Sequence, residues 1–418
     1  MHVSRSRKTA VACTASKRPW SASTSWRNNK EAAMGHVFRN EEQQAAVDGL
    51  KRFLDAEIDP VFSKQYRDTF VPRDKMADIM RRLTEFGLVS GIASEANGGM
   101  GLDWLTSLML FEEVATTSAD LSVPVLINSF GVVLLEKVAP PHLRERYLPG
   151  LLSGDSFVSM GISEPDVGSN VLEIRTRARR DGDHFIINGE KTWISNGEYS
   201  DFLICTCRTS DDPRKGLTHF LLDRKEHPYE VRGIHKIGFN SQSTAQIFLT
   251  DVRVPATNMI GNEGEGLRNT LSLFERSRVF VAAQGLGIGR RALEEAVRYA
   301  TERRQHGKVI AGHQLIAAML AEMATHVDAA RLLTYRAASM IEAGVPAEME
   351  AAMAKYFACE AAVKIARQAV QIHGGNGVTT EFLVEKLARE AIIAPIPEGT
   401  TQIQQLIIGR ALTGVPAF

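Results

Sequence analysis

The apolar periodicity of this chain changes twice, and no other feature restricts its fold as much. Between Asn40 and Phe157 the spacing is helical. Ala46, Leu50, Phe53 and Leu54 recur three and four apart, Lys75 to Phe86 and Leu105 to Ala115 repeat the pattern, and Val123 to Val138 is apolar nearly all round. Pro140-Pro141 stops that helix and starts another. Short β-runs follow at His184 to Ile187, Phe202 to Cys207, Thr218 to Leu222 and Ala245 to Leu249. Asn188-Gly189 after the first of them predicts a tight hairpin turn. From Leu267 the pattern is helical again and the helices are long. Leu286, Leu293, Val297 and Ala300 share one face, and Ile316, Leu320, Met323, Val327 and Ala330 share another. A further helix is expected from about Ala347 to Ile372, and a last one from Thr401 to Leu412.

The expected fold is therefore mainly α with a central β-domain. Residues 36–157 form an N-terminal helical domain, 158–265 a small antiparallel β-barrel or sandwich-like domain, and 266–418 a C-terminal four-helix bundle. Residues 1–35 stand apart, because Met1 to Lys30 contains no acidic residue. That composition mimics a mitochondrial transit peptide, but it lacks helical spacing and the pattern restarts at Met34, so a mis-assigned start or disordered leader is favoured.

Composition closes off several functions. The chain carries 49 basic and 49 acidic residues, so nothing global favours nucleic acid or an anionic membrane. Four scattered cysteines make no disulfide framework, and Cys205-Thr206-Cys207 reads as a reduced core strand. The histidines do not cluster at metal-ligand spacing. No apolar run is expected to approach the roughly 20 residues needed to span a bilayer. A soluble protein of a reducing compartment is the expectation.

The chemistry is carried by several short stretches. Gly285-Leu-Gly-Ile-Gly289 has no strand before it and reads as close helix packing, not a dinucleotide loop. Ser163-Glu164-Pro165-Asp166-Val167-Gly168-Ser169 is a polar loop, and Lys191-Thr192-Trp193-Ile194-Ser195 sets an aromatic ring and a hydroxyl at a strand end; each is turn chemistry or a ligand contact. Arg303 to Lys308 alone reads as cationic capping of a helix C-terminus. Gln371-Ile372-His373-Gly374-Gly375-Asn376-Gly377 leaves bare backbone at a helix exit. Pro395-Ile396-Pro397-Glu398-Gly399-Thr400 breaks the chain around one carboxylate, which is a solvated turn residue or a base.

Together with Asp251-Val-Arg-Val-Pro255, these motifs in this order resemble the acyl-CoA dehydrogenase flavoprotein family from about Glu41 onward. The resemblance implies that family's fold, FAD, and α,β-desaturation of an acyl-CoA thioester. Glu398 matches the catalytic base; the alternative base position, on the helix carrying Arg278, holds Ser277. Met160, Ile162, Ser163, Ser169, Trp193 and Ser195 would flank the flavin. Arg303 and Gln314 would reach FAD from a neighbouring subunit, His306 would lie near the flavin, Gln371, Gly374 and Gly375 would meet adenine, and Thr400 and Gln402 the diphosphate. Ser169, Phe274, Glu275, Arg278 and Gly399 would touch the substrate. An electron-transfer flavoprotein as acceptor, a homotetramer or dimer, and a cytoplasmic location (mitochondrial matrix if the leader is a transit peptide) are also implied. Three positions depart from the usual pattern: Pro397 replaces a Tyr, His306 a Phe and Gln402 a Glu. A reshaped acyl pocket, a flavin oxidase, a carrier-protein thioester dehydrogenase and a non-dehydrogenating relative remain open as alternatives.

Overall fold

The computed structural model describes residues 40–416, so the leader and Cys13 lie outside the described residues. Helix α1 (Glu41–Phe53) begins where Asn40 and Gln43 cap each other, each side chain accepting the other's backbone N–H. Two wide helical turns then bury Leu54, Ile58 and Phe62. Helix α2 (Arg73–Thr84) buries Met76, Ile79, Met80 and Leu83, the spacing of one helix face. The Asp103 carboxylate accepts from Thr106 N at 2.7 Å to start α3 (Trp104–Thr117), and Ser118 caps α4 (Ala119–Val138). Pro141 sits in the first turn of α5 (Pro141–Leu152), where its missing N–H has no role.

Helix α4 corrects one expectation. It is 20 residues long and apolar enough, by length and composition, to cross a bilayer. It is also 78% buried inside the fold, where Leu121, Val132 and Leu135 have no exposure at all or nearly none. Most of its apolar circumference is covered by protein, as in a core helix.

The sheet contains β1 (Val158–Gly161), β2 (Arg177–Asp181), β3 (His184–Ser195), β4 (Phe202–Arg208), β5 (Leu217–Asp223), β6 (Glu230–Gly233), β7 (Thr244–Pro255) and β8 (Met259–Ile260). Its order is β6-β7-β3-β2-β4-β5-β8, with β1 paired to β4. The sheet is mixed, not wholly antiparallel, because β1 runs parallel to β4 with Val158 opposite Phe202. The β2–β3 hairpin lies between them in sequence and supplies the crossover that a parallel pair needs. Phe185, Ile187, Cys205, Cys207, Phe220 and Ile247 form its core, and both strand cysteines are free thiols.

Asn188-Gly189 is not the hairpin turn. Strand β3 runs straight through it, and its ladder with β7 slips between Ile187 and Gly189, which makes a bulge. A Cβ at Gly189 would lie 2.4 Å from Thr176 Oγ1, so only glycine fits there. The Asn188 side chain meanwhile pairs with Asp251 across the sheet at 2.9 Å. The turn lies earlier, between β2 and β3, at Gly182 with φ +63°.

Helix α6 (Gly266–Glu302) runs 37 residues through the centre of the molecule. At Gly285 an added Cβ would stand 3.1 Å from Cys359, and at Gly287 2.7 Å from Ala115, so these glycines do serve close helix packing. Arg303 to Lys308 is more than a capped helix end. Strands β9 (Arg304–Gln305) and β10 (Lys308–Val309) form a small hairpin turning at His306-Gly307, both with positive φ. Then come α7 (Gln314–Glu342), α8 (Glu348–His373), α9 (Val384–Ile393) and α10 (Thr401–Thr413). A buried cluster ties α9 to the rest: Lys386 bridges Asp120 and Glu390, and Asp120 also accepts from Ser241 N.

Candidate active site

Glu398 occupies a backbone position that few non-glycine residues adopt. Its φ is +57° and that of Gly399 is +88°, so two consecutive left-handed residues turn the chain sharply between Pro397 and α10. The strain at a residue with a side chain is about 1–2 kcal/mol. Pro395 and Pro397 have no N–H, and the carbonyls of this loop are satisfied by side chains instead. Lys355 Nζ on α8 donates to Pro395 O at 2.6 Å and Gly399 O at 2.7 Å. Gln404 Nε2 donates to Glu398 O and Gly399 O, and the Thr400 hydroxyl caps α10.

The Glu398 carboxylate accepts a 2.7 Å hydrogen bond from Ser277 Oγ on α6, and Ser277 is completely buried. Burial pushes the Glu398 carboxyl above the ordinary range, against the opposing pull of the Ser277 hydroxyl and of the Arg278 and Lys355 charges. A carboxylate in that condition is a stronger base than an exposed one. Arg278 is itself almost fully buried, its Nε has no partner, and burial lowers its pKa while Glu348, Glu398 and Glu275 pull the other way. Glu275 meanwhile accepts from Ala347 N.

One helical turn before Ser277, Phe274 packs against the small apolar cluster of Ile162, Val167, Ile174 and Leu217. That contact joins the helix facing the base to the Met160–Ser169 loop. The loop is braced from inside by a buried ion pair. Glu164 Oε1 lies 2.8 Å from Lys191 Nζ, and the same carboxylate accepts from the backbone of Arg175 and Thr176. Lys191 also donates to Ile162 O. Thr192 N donates to Ser163 O, which brings the Trp193 segment against this loop. A second irregularity in β3, between Lys191 and Ile194, lifts Trp193 out of the ladder at φ +61°, leaving its indole 63% exposed. Ser195 ends β3 and is half-buried, while Ser169 is fully in solvent.

The remaining predicted positions lie elsewhere. Arg303, His306, Gly374 and Gly375 line one cavity of about 500 Å³, together with Tyr299 and His373, whose rings stack at 4.2 Å. A Cβ on Gly374 or Gly375 would meet nothing, so the backbone there is open to a ligand. Gln314 and Gln371 are exposed beside this wall and do not line it; Gln402 is exposed on the first turn of α10. Arg303 ends the helix that carries Ser277, roughly 39 Å away at 1.5 Å per residue. The base and this cavity are thus well separated along α6.

These features agree with what known proteins show. Residues 40–155, 159–252 and 264–413 match the N-terminal, middle and C-terminal domains of acyl-CoA dehydrogenase. The chain belongs to the acyl-CoA dehydrogenase family. It is 33% identical over 375 residues to a cyclohexane-1-carbonyl-CoA dehydrogenase of Syntrophus aciditrophicus (strain SB), covering 89% of this chain and 97% of that protein. The structure of a glutaryl-coenzyme A dehydrogenase in complex with glutaryl-CoA superposes with a TM-score of 0.86 at 32% identity, over 90% of this chain and 96% of that one. A glutaryl-CoA dehydrogenase of Mycobacterium smegmatis, solved with FADH2, superposes at 0.85 with 25% identity, over 91% and 96%. This protein is accordingly an acyl-CoA dehydrogenase, a flavin-dependent oxidoreductase.

The donor set fits a flavin dinucleotide. An exposed indole held out of its strand offers an aromatic wall, and the open Gly374-Gly375 backbone with Arg303 and a stacked Tyr299–His373 pair suits an adenine and its phosphates. Lys355, Gln404 and the Glu164–Lys191 brace are absent from any reading of the sequence alone. Lys355 sits in an alanine-rich helix where a lysine normally signals a solvent face, and its carbonyl partners lie 40 and 44 residues away. Glu164 belongs to a recognisable motif, but nothing local identifies its partner.

Proposed function

We propose that this enzyme desaturates an acyl-CoA between the α and β carbons, with Glu398 removing the α-proton. The observation that carries the reading is the carboxyl of Glu398, raised in pKa by burial and hydrogen-bonded by the Ser277 hydroxyl, on a loop fixed by side chains. The α-proton of a thioester is weakly acidic, so its removal requires a fixed base of raised pKa together with stabilisation of the developing enolate. Bound FAD would supply the hydride acceptor for the β-hydrogen and a ribityl hydroxyl beside the thioester oxygen. The chain's own part is to hold the carboxylate, to set the Trp193 ring and the Ser163 loop at the reacting face, and to keep water out.

The cavity of Arg303, His306, Gly374 and Gly375, far along α6 from the base, serves a flavin held mainly by a second copy of the chain, which supports a homo-oligomer. An electron-transfer flavoprotein takes the electrons, as the family resemblance implies. The acyl group is other than a simple straight chain: rigid Pro397 stands directly before the base, and the Syntrophus relative is named for an alicyclic acyl group. Bleaching of the bound flavin by a panel of straight, branched, cyclic and polar acyl-CoAs tests all of this. Glu398→Gln keeps its flavin and loses bleaching by several orders of magnitude. Undiminished bleaching removes Glu398 from the mechanism, and fastest bleaching by butyryl- to octanoyl-CoA removes the acyl-group assignment.

A further inference from the structure

Lys355 has no exposed surface, yet no carboxylate is paired with its ammonium among the described residues. A buried cation normally sits against an acid, because carbonyl dipoles alone compensate its lost hydration poorly. Here it donates only to the carbonyls of Pro395 and Gly399, which flank the Pro397–Glu398 turn on either side. That turn has few backbone donors of its own, and Glu398 stands in the left-handed region. We propose that Lys355 is the positioning residue of the base: it clasps the two ends of the Glu398 loop and places a fixed positive charge behind the carboxylate. The proposal rests on Glu398 being the base.

The clasp has two separable parts. Gln404, also without exposure, reaches Glu398 O and Gly399 O and shares the geometric task, but carries no charge. Only Lys355 adds an electrostatic effect. The charged and titratable groups around the pair are Arg278 from α6, Cys359 and Glu360 from α8, with Glu275, Glu348 and Arg410 acting on Arg278. The Lys355 charge acts on Glu398 to favour the carboxylate, and Glu398 acts on Lys355 to favour the ammonium. Burial lifts the base, and Lys355 limits the lift, so that the carboxylate stays available at working pH.

The test uses the flavin-loaded enzyme and two readouts. One is the pH profile of kcat/KM; the other is washout of deuterium from the α-carbon of an acyl-CoA by the dithionite-reduced enzyme, where hydride transfer cannot occur. Lys355→Met lowers kcat about 10²-fold, the loss expected for an ångström of base misplacement, with KM changed less than about threefold. It also slows washout in parallel and moves the acidic limb of the profile to higher pH. Gln404→Leu slows both reactions but leaves the limb in place. Lys355→Arg, which keeps the charge and safeguards the test if the Met variant does not fold, also leaves the limb in place while lowering kcat. A folded Lys355→Met enzyme with wild-type kcat and an unmoved limb overturns the proposal, as does a limb shifted equally by Gln404→Leu. Glu398→Gln separates the two readings: if it still washes out deuterium the base assignment fails, whereas normal washout by Lys355→Met alone sinks only the clasp.

Discussion

Replacing Ser277 by Ala isolates the hydrogen bond that, among the described residues, the Glu398 carboxylate accepts. The hydroxyl of fully buried Ser277 donates at 2.7 Å to the half-buried Glu398. A hydrogen bond to a charged group contributes about 1.5–3 kcal/mol. Here it favours the carboxylate over the carboxylic acid, so its loss makes the proton harder to remove. The sign follows directly: a pKa already raised by burial rises further, and the base becomes available only at higher pH. At 1.4 kcal/mol per tenfold, kcat/KM on the acidic side of the wild-type limb falls about 10- to 100-fold. The alkaline plateau stays within about threefold, because the deprotonated base is still in place. Stopped-flow bleaching of the bound flavin across the pH range measures both. A limb that stays put, or one that moves to lower pH, refutes the assignment of Ser277 as a donor to the working base.

Two other perturbations follow from buried charges. Lys191→Met leaves Glu164 without its partner and should lower stability by about 3–5 kcal/mol in urea unfolding, with flavin released more readily because the Ser163 loop loses its brace; adding Glu164→Gln recovers most of the loss. Glu390 is driven up to about 8, first by burial and then by the Asp120 charge, despite Lys386 beside it. The folded state therefore keeps a proton that the unfolded chain releases above its ordinary value near 4.5, so stability falls as pH rises from there toward 8. In Glu390→Gln the drop in Tm between pH 5 and pH 8 should shrink; an unchanged drop would place the titration elsewhere.

The helices were legible because apolar spacing is a local signal, and α2, α3, α6 and α8 fall within a few residues of where it put them. Asn188-Gly189 misled because a turn dipeptide also suits a bulge, and the Thr176 contact that decides between them comes from the residue just before β2. Likewise α9 is short and anchored by Lys386 reaching Asp120, a partner far away in sequence. Glu398 stood out through its prolines and glycine. Its left-handed φ, its Ser277 donor and its Lys355 clasp did not, since each depends on helices brought together only by folding.

The buried α4 helix has a consequence during synthesis. Among its neighbours are β1, which follows closely, and α6, whose residues emerge much later. At about 5–20 residues per second, a helix apolar enough for a bilayer waits on the order of ten to thirty seconds for the part of its cover that α6 supplies. In that interval the face that packs on α6 in the folded protein stays open. How long that face stays open is set by how quickly α6 follows α4 off the ribosome.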